Sequence, residues 1–202
     1  MNKLTIKFTE AATSNDHEAI LLVDGEDWMG KEYMGMDPPK LFSQESLLLG
    51  GRTIIGRCNC GCEGCDDYEI DVVLLDSSIQ WKSTLGYIIN FDKSEYFREI
   101  NSKKNDFTWE NSNRTAERLV DKIFLRSKTT DGSLYEWSSA RIKEKVIALS
   151  FSKDGKQTIF EFQWDGQDPT SARDNAIKEL SKPCYIKSAQ QGDAPEPATP
   201  AR

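Results

Sequence analysis

A chain of 202 residues, of which 38% are hydrophobic and 10% aromatic, is long enough for one well-buried core and leaves little room for two full domains. Its formal net charge of -7 disfavours nucleic acid and anionic membrane surfaces as partners and favours a basic protein. Residues 1–16 lack the apolar core of a signal peptide, and no later segment is apolar enough for a membrane span, so a soluble, cytoplasmic protein is expected.

Alternating apolar and polar residues predict antiparallel strands in the first half of the chain, beginning with Leu4, Ile6 and Phe8. A short apolar run at 19–23 turns at Asp24-Gly25, and the Gly-, Met- and Pro-rich residues 29–39 are expected to form an ordered loop. The same alternation predicts further strands at 53–56, 68–74, 79–81 and 87–91.

Helices are predicted in the second half of the chain. Asp92 is expected to cap the first helix in a capping-box-like arrangement with Glu95. Apolar residues at spacings 0, 3, 4, 7 and 8 from Ala116 predict a second helix, capped by Asn113. These two helices are expected to lie on the core through their apolar faces.

A hairpin and a third helix complete the predicted elements. Asp154-Gly155 lies between two alternating runs, which is a strong signal for a tight β-hairpin. Asp168-Pro169 is typical of a helix N-terminus, and the helix is expected to turn Ala172, Ala176, Ile177 and Leu180 inward. The predicted fold is therefore α+β, an antiparallel sheet of meanders and hairpins with about three helices packed on it.

The predicted domain organisation is simple. A single α+β domain is expected at 1–187. The residues at 188–202 are rich in Pro and Ala and contain no large apolar side chain, so a disordered tail is expected there.

Four of the five cysteines, Cys58, Cys60, Cys62 and Cys65, lie in the stretch GRCNCGCEGC. In a reducing compartment, clustered cysteines are more often metal ligands or reactive groups than disulfides. The flanking strands place the cysteine loop at the tip of a hairpin, and two glycines in the loop permit the turns that bring Cys65 back to face Cys58 and Cys60. The sequence therefore predicts a metal site, with zinc as the expected ion.

Tetrahedral zinc needs a fourth ligand, for which Cys62 at the loop apex is the nearest candidate, with Cys184, His17 and Asp66 as alternatives. A closed four-thiolate site would be structural, because it leaves no coordination position for a substrate. A redox-active thiol cluster, an iron–sulfur cluster and plain reduced cysteines are the competing interpretations.

Acidic residues surround the cysteines and make this surface unsuited to phosphate. Arg52 and Arg57 are the expected counter-charges. The acidic residues are Glu63, Asp66, Asp67, Glu69 and Asp71.

The stretch from Trp28 to Trp81 contains GMDP at 35–38, the cysteine motif and an alternating strand that ends in IQW. It resembles a group of uncharacterised bacterial proteins that share a GRCxCGxxGC core. The shared motif matches three of the cysteines and leaves the position of Cys62 open. The resemblance implies a bacterial, cytoplasmic setting and no particular activity.

The predicted second helix also carries a basic ridge, which could touch RNA or an acidic protein. We expect instead a solvated helix face, balanced by Glu117 and Asp121. The ridge consists of Arg114, Arg118, Lys122 and Arg126.

Two classes of function follow from the sequence. The first is a non-catalytic binding protein with a basic protein as its partner, for which an immunity protein that neutralises a bacterial toxin is the concrete form. The alternative is a thiol- or metal-dependent enzyme or redox sensor that uses the cysteine loop, with Cys62 as its reactive group. His17, the one histidine, is expected in an exposed loop, and a single histidine excludes an HExxH-type metalloprotease.

Overall fold

In the computed structural model, residues 1–10, 17–60, 65–84 and 86–187 are described, so Cys62 and the predicted tail at 188–202 lie outside the described residues. The chain divides into two compact units, Met1–Trp109 and the residues from Glu110 onwards. Each unit has its own cluster of buried hydrophobic side chains. Two units with separate cores can unfold together or independently, so the single domain at 1–187 stays a prediction.

The first unit contains two antiparallel sheets, one of three strands in the order β1-β2-β3 and one of five strands in the order β4-β5-β6-β7-β8. Its strands are β1 (Leu4–Glu10), β2 (His17–Val23), β3 (Glu26–Asp27), β4 (Tyr33–Met34), β5 (Gly51–Cys58), β6 (Tyr68–Leu74), β7 (Ser78–Ser83) and β8 (Ile88–Asp92). Its helices are α1 (Pro38–Ser43), α2 (Ser46–Leu49) and α3 (Lys93–Lys104).

Aromatic side chains fill the centre of the first core. The ring centroids of Trp81 and Phe91 lie 4.8 Å apart on neighbouring strands β7 and β8, and Tyr96 of α3 packs edge-on against Trp81. The Tyr96 hydroxyl accepts from Trp81 Nε1 at 3.3 Å and donates to the Leu47 carbonyl at 3.1 Å. Both polar atoms of this buried pair are therefore satisfied, which allows the two large rings to lie in the core.

The second unit contains one five-stranded sheet in the order β12-β11-β10-β9-β13, on which α4 and α5 pack. Its elements are α4 (Ser112–Phe124), β9 (Ser127–Thr129), β10 (Leu134–Ser139), β11 (Val146–Lys153), β12 (Lys156–Gln163), α5 (Pro169–Leu180) and β13 (Tyr185–Lys187). Phe124 of α4 contacts Phe151 of β11 and Tyr185 of β13, so an aromatic layer joins helix and sheet.

The α+β class with antiparallel sheets is confirmed, but the described residues form five helices where the sequence predicted about three. The three predicted helices correspond to α3, α4 and α5. The additional α1 and α2 are 6 and 4 residues long, too short for the 3.6-residue apolar period to be recognised.

Local signals in the sequence are largely confirmed. The Asp92 carboxylate accepts from the backbone of Ser94 and Glu95, and Asp168 caps α5 through the Thr170 amide. Asp154 and Gly155 both have positive φ, 51° and 73°, as a two-residue hairpin turn requires.

Two details of the helices differ from the prediction. Asn111, not Asn113, caps α4, because its side chain accepts from the Arg114 amide while Asn113 already lies inside the helix. Ile177 of α5 is 51% exposed, whereas Ala172 and Ala176 are fully buried. The face of α5 that meets the core is therefore formed by Ala172, Ala176 and the partly buried Leu180, as predicted, whereas Ile177 points outward.

Candidate metal centre

The cysteine loop leaves and re-enters a pair of hydrogen-bonded strands. β5 ends at Cys58, and β6 begins at Tyr68 and pairs with β5 in antiparallel register, with Gly56 opposite Tyr68. Because residues 61–64 lie outside the described residues, the position of the loop at a hairpin tip stays a prediction.

The outgoing side of the loop is held by a neighbouring segment. Tyr33 of β4 pairs with Cys58, and the Asn59 amide donates to the Glu32 carbonyl at 3.3 Å. The Asn59 side chain also donates to the Lys31 carbonyl. Residues 57–59 are thus fixed along their backbone before the chain enters the loop.

An aromatic cluster ties the two sides of the loop together. The centroids of the Tyr33 and Tyr68 rings lie 4.9 Å apart, and the Trp28 ring also packs against Tyr68, with a centroid distance of 5.4 Å. The Tyr33 hydroxyl donates to Asp66 Oδ2 at 3.3 Å. This bond links β4, which pairs with Cys58 on the outgoing side of the loop, to the residues that return to β6. Burial and the nearby Asp66 carboxylate raise the pKa of Tyr33, so its hydroxyl keeps the proton that it donates.

The thiol groups of three cysteines lie close together in the described structure. The Sγ atoms of Cys58, Cys60 and Cys65 all lie within 4.8 Å of one another. Cys58 is half-buried at the end of β5, whereas Cys60 and Cys65 are exposed. Three thiols at this separation could hold a metal ion, because thiolates are strong ligands for soft and borderline metals.

The proximity of the three sulfurs has an electrostatic consequence. Hydrogen bonding to the thiol of Cys60, then to that of Cys58, raises the pKa of Cys65 to about 11. Three thiolates cannot accumulate at this distance without a counter-charge, because like charges disfavour ionisation. A bound cation would supply that charge and release the thiol protons.

The described residues bring together three of the four predicted ligands, and Cys62 lies outside them. Neither Asp66 nor His17 belongs to the group of described side chains whose ligand atoms lie within 4.8 Å of one another. Cys184 belongs to the second unit, where it is half-buried against the core beside Tyr185.

His17 is not in an exposed loop, as the sequence suggested, but is the first residue of β2 and only 7% exposed. Its ring lies 5.3 Å from the Trp109 ring. The alternation of side chains along a strand could have predicted the burial of His17, since His17 lies on the same face of β2 as the buried Ala19, Leu21 and Val23.

The charged residues near the candidate metal centre agree only in part with the prediction that arginines balance the acidic residues there. Arg52 lies 3.4 Å from Glu69, and both side chains remain partly in water, so this pair contributes little to stability. Asp66, next to Cys65, is exposed. Asp71 is also exposed, but it lies further along β6, opposite Arg52 on one side and Lys82 on the other.

The predicted basic ridge is a solvated face only in its C-terminal half, where Lys122 is exposed and the exposed Arg126 lies beyond the end of α4 at Phe124. Arg114 is 4% exposed and forms an ion pair with Glu117, which is also buried. Arg118 donates to both carboxylate oxygens of Glu110, at 2.7 and 2.9 Å. The N-terminal half of the ridge is therefore neutralised inside the second unit and does not offer a site to RNA.

No family model, curated protein or solved structure matches the chain. Within the part of the chain that the structure describes, no helix has the length and apolar character needed to cross a membrane. Conclusions about function therefore rest on the geometry and chemistry of the residues themselves.

Proposed function

We propose that the chain is a non-catalytic binding protein in which a zinc ion, bound by the cysteine loop, fixes the ends of β5 and β6. The observation that carries this proposal is the convergence of three Sγ atoms within 4.8 Å. In a tetrahedral site with Zn–S bonds of about 2.3 Å, neighbouring sulfurs are about 3.8 Å apart, so small side-chain rotations would suffice to bind the ion.

Cys62 is the proposed fourth ligand, since it lies in the same loop as the other three. Four thiolates would close the coordination shell and leave no position for water or substrate. The site would then stabilise the loop and the aromatic cluster beneath it, and its role would be structural. Asp66, His17 and Cys184 are the alternatives if Cys62 does not bind.

The proposed partner is a basic protein. The net charge of -7 and the exposed Asp66 beside the cysteine loop support an acidic docking surface. A bacterial immunity protein, which neutralises a toxin in the cytoplasm, is the concrete form of this proposal.

The metal is tested on the full chain purified under reducing conditions, by native mass spectrometry with elemental analysis. We expect one zinc ion per chain, and we expect Cys65→Ser to lose the ion and to unfold at a lower temperature. Cys184→Ser should keep the ion and the unfolding temperature if Cys62 is the fourth ligand, whereas loss of the ion in Cys184→Ser would assign Cys184 as that ligand. A metal-free protein whose thermal stability does not change in Cys65→Ser would contradict the structural zinc.

The partner is tested by affinity capture from the lysate of the source cell at increasing salt. A stoichiometric basic protein whose capture weakens with salt is expected, because exposed charges are screened beyond about 8–10 Å at physiological ionic strength. Asp66→Asn should weaken capture, and Asp174→Asn, at an exposed carboxylate in the second unit, should not. Retention of nucleic acid alone would contradict the proposal.

A second candidate function rests on the exposure of Cys60 and Cys65, which suits a thiol enzyme or redox sensor. In that case Cys62, its proposed reactive group, would be alkylated rapidly and selectively in the folded protein. Uniform resistance of the loop cysteines to alkylation, reversed by a chelator, would rule out this candidate and favour the structural metal.

A further inference from the structure

The sheet of the second unit ends in a long strand with one unpaired side. β12 is the edge strand of the order β12-β11-β10-β9-β13 and is 8 residues long. The side chains from Lys156 to Ile159 are exposed, Ile159 to 44%. Such an edge presents backbone groups that another strand can pair with.

The register of the hairpin fixes which backbone groups face outward. A two-residue turn makes Lys153 and Lys156 a hydrogen-bonded pair, and hydrogen-bonded pairs then recur at every second residue. The Trp164 amide accordingly donates to the Lys145 carbonyl at 3.0 Å, which places even-numbered residues on the inner side.

Odd-numbered residues of β12 therefore direct their N–H and C=O groups away from β11. The Gln163 carbonyl confirms this direction, because it accepts from Asn175 Nδ2 of α5 at 3.0 Å. Among the described residues, no hydrogen bond reaches the backbone groups of Gln157, Ile159 or Glu161 on this outer side.

The other edge strands of the described chain are shorter than β12, and the outer sides of β1, β5 and β8 receive a hydrogen bond or a bridge near the middle of the strand. The Ile6 amide of β1 donates to Glu99 Oε1 at 2.7 Å. Gln44 makes two hydrogen bonds of 2.8 Å to the amide and carbonyl of Ile54, where β5 extends beyond β4. A bridge from Asn2 covers β8, and the edge strands β3 and β13 are only 2 and 3 residues long.

We propose that β12 pairs in antiparallel fashion with β12 of a second copy of this chain, about a two-fold axis at Ile159. Only registers that oppose odd-numbered residues to odd-numbered residues bring outward groups face to face. A register centred on Ile159 uses the unpaired backbone groups and leaves the Gln163 carbonyl with Asn175. The interface is isologous, as in most homodimers.

Side chains across this axis are complementary. Ile159 of one copy faces Ile159 of the other, and each Gln157 faces Glu161 of the other copy. Within its own chain the Gln157 amide also donates to Ser150 Oγ at 2.8 Å, and the Glu161 carboxylate lies 3.3 Å from Lys143 Nζ.

Ser150 of β11 is paired with Trp137 of β10 on one side and with Ile159 of β12 on the other. The half-buried Trp137 therefore lies on the same face of the sheet as Ile159, two strands away. The axis therefore brings Ile159 and Trp137 of both copies onto one sheet face and opposes no like charges.

A contact made mainly by two edge strands is small, so the dimer is expected to be reversible and dependent on concentration. It does not rest on the proposed metal or partner. It adds a symmetric interface in the second unit, and its backbone pairing would protect an edge that is otherwise prone to unspecific strand addition.

Sedimentation velocity of the full chain over a wide range of concentrations tests the dimer. The wild type is expected to shift reversibly from monomer to dimer. Ile159→Pro removes an outward N–H that makes no bond within the chain and should remain monomeric. Ile159→Thr keeps that N–H and should still dimerise, with circular dichroism to verify that all three proteins are folded.

Charge variants at the exposed Gln157 test the register, with circular dichroism to verify the fold because the Gln157 amide donates to Ser150 Oγ at 2.8 Å. Gln157→Glu places a carboxylate opposite Glu161 twice in the dimer, whereas Gln157→Lys places an ammonium there twice. Their dimer dissociation constants should differ by about tenfold or more, with the lysine variant tighter. Equal constants would overturn the Ile159-centred register.

A photoreactive phenylalanine analogue at position 159 identifies the occupant of the edge. Crosslinks from position 159 to residues 157–161 of another copy would support the proposal. Crosslinks to residues 188–202 of the same chain, or to a different protein alone, would overturn it. A wild type that stays monomeric at every concentration would also overturn it.

Discussion

Arg114 Nη1 lies 3.0 Å from Glu117 Oε2, and the two side chains are only 3% and 6% exposed. The other carboxylate oxygen, Oε1, accepts from Arg141 Nε at 2.8 Å and from the Ala140 amide at 2.8 Å. The Ser139 hydroxyl donates to the same oxygen at 3.1 Å. One carboxylate of α4 therefore holds the segment that follows β10.

Removal of the Glu117 charge should destabilise the second unit strongly. Glu117→Gln removes the carboxylate charge that lies 3.0 Å from the buried Arg114 guanidinium, and loss of one partner of a buried ion pair typically costs about 3–5 kcal/mol. The measurement is urea-induced unfolding followed by circular dichroism. We expect a lower midpoint with an unchanged slope.

An exposed ion pair provides the matched control for Glu117→Gln. Arg173 and Asp174 lie 2.8 Å apart with side chains 45% and 53% exposed. Asp174→Asn should change the free energy of unfolding by about 0–1 kcal/mol, because water replaces the partner. Equal effects of the two substitutions would mean that the Glu117 pair is solvated after all.

The N-terminus of α4 offers a second prediction. The Asn111 side chain accepts from the Arg114 amide at 3.0 Å, so Asn111→Ala should cost about 1 kcal/mol in the free energy of unfolding. Asn113→Ala should be neutral or slightly stabilising, since alanine is the better helix former inside the helix. Thermal unfolding of the two variants distinguishes the caps, and a larger loss in Asn113→Ala would reverse the assignment.

The sequence predicts α4 but does not determine which residue caps its N-terminus. The residues Asn111, Ser112 and Asn113 are all good N-cap types, and the apolar period of α4 does not distinguish among them. The hairpin turn at Asp154-Gly155 was easier to predict, because a two-residue turn with positive φ at both positions admits few other residues. Local geometry is predicted well where only one residue type satisfies it.

Burial of charge was not predictable in the same way. Arg114 and Glu117 look like an exposed i, i+3 pair, and their burial depends on Ser139 and Arg141, which are distant in sequence. The cysteine cluster was predictable because its ligands are close in sequence and adjoin a strand end. The fourth ligand was not, since motif spacing does not fix the path of the loop.

Gly35 should not tolerate a side chain. A Cβ at this position would lie 2.5 Å from the Ala19 carbonyl oxygen, which is held by the Met36 amide at 3.2 Å. The clash is with backbone, so Gly35→Ala should lower the free energy of unfolding by about 1–3 kcal/mol. Chemical denaturation of the full chain measures the loss.

Gly56 is the control for this prediction. A Cβ there would meet the Met29 Sδ at 2.4 Å and the Met34 carbonyl oxygen at 3.2 Å. Because the methionine side chain is flexible, it can move, and Gly56→Ala should cost less than Gly35→Ala. The reverse order would show that the segment around Gly35 yields more easily than its backbone contacts suggest.

Asp121 predicts a dependence of stability on pH. Burial raises the pKa of its carboxyl above the ordinary 3.8, against the opposing effect of hydrogen bonds from Tyr135 and Ser138. Between pH 3.8 and the folded pKa, the folded state keeps a proton that the unfolded state has lost. The contribution of Asp121 to stability is therefore full below pH 3.8 and falls as the pH rises through this window.

Asp121→Asn replaces the carboxyl by a neutral group of similar shape and removes this dependence. Relative to the wild type, the variant should gain stability as the pH rises from about 4 towards 7. Asp165→Asn should show the opposite sign in a lower pH window, because backbone hydrogen bonds from Gln167 and Asp168 lower the pKa of Asp165 below the ordinary 3.8. This variant should lose stability relative to the wild type as the pH rises towards 3.8 and show no further change above it. Urea midpoints at several pH values measure both differences, and slopes of the same sign would contradict the burial of Asp121.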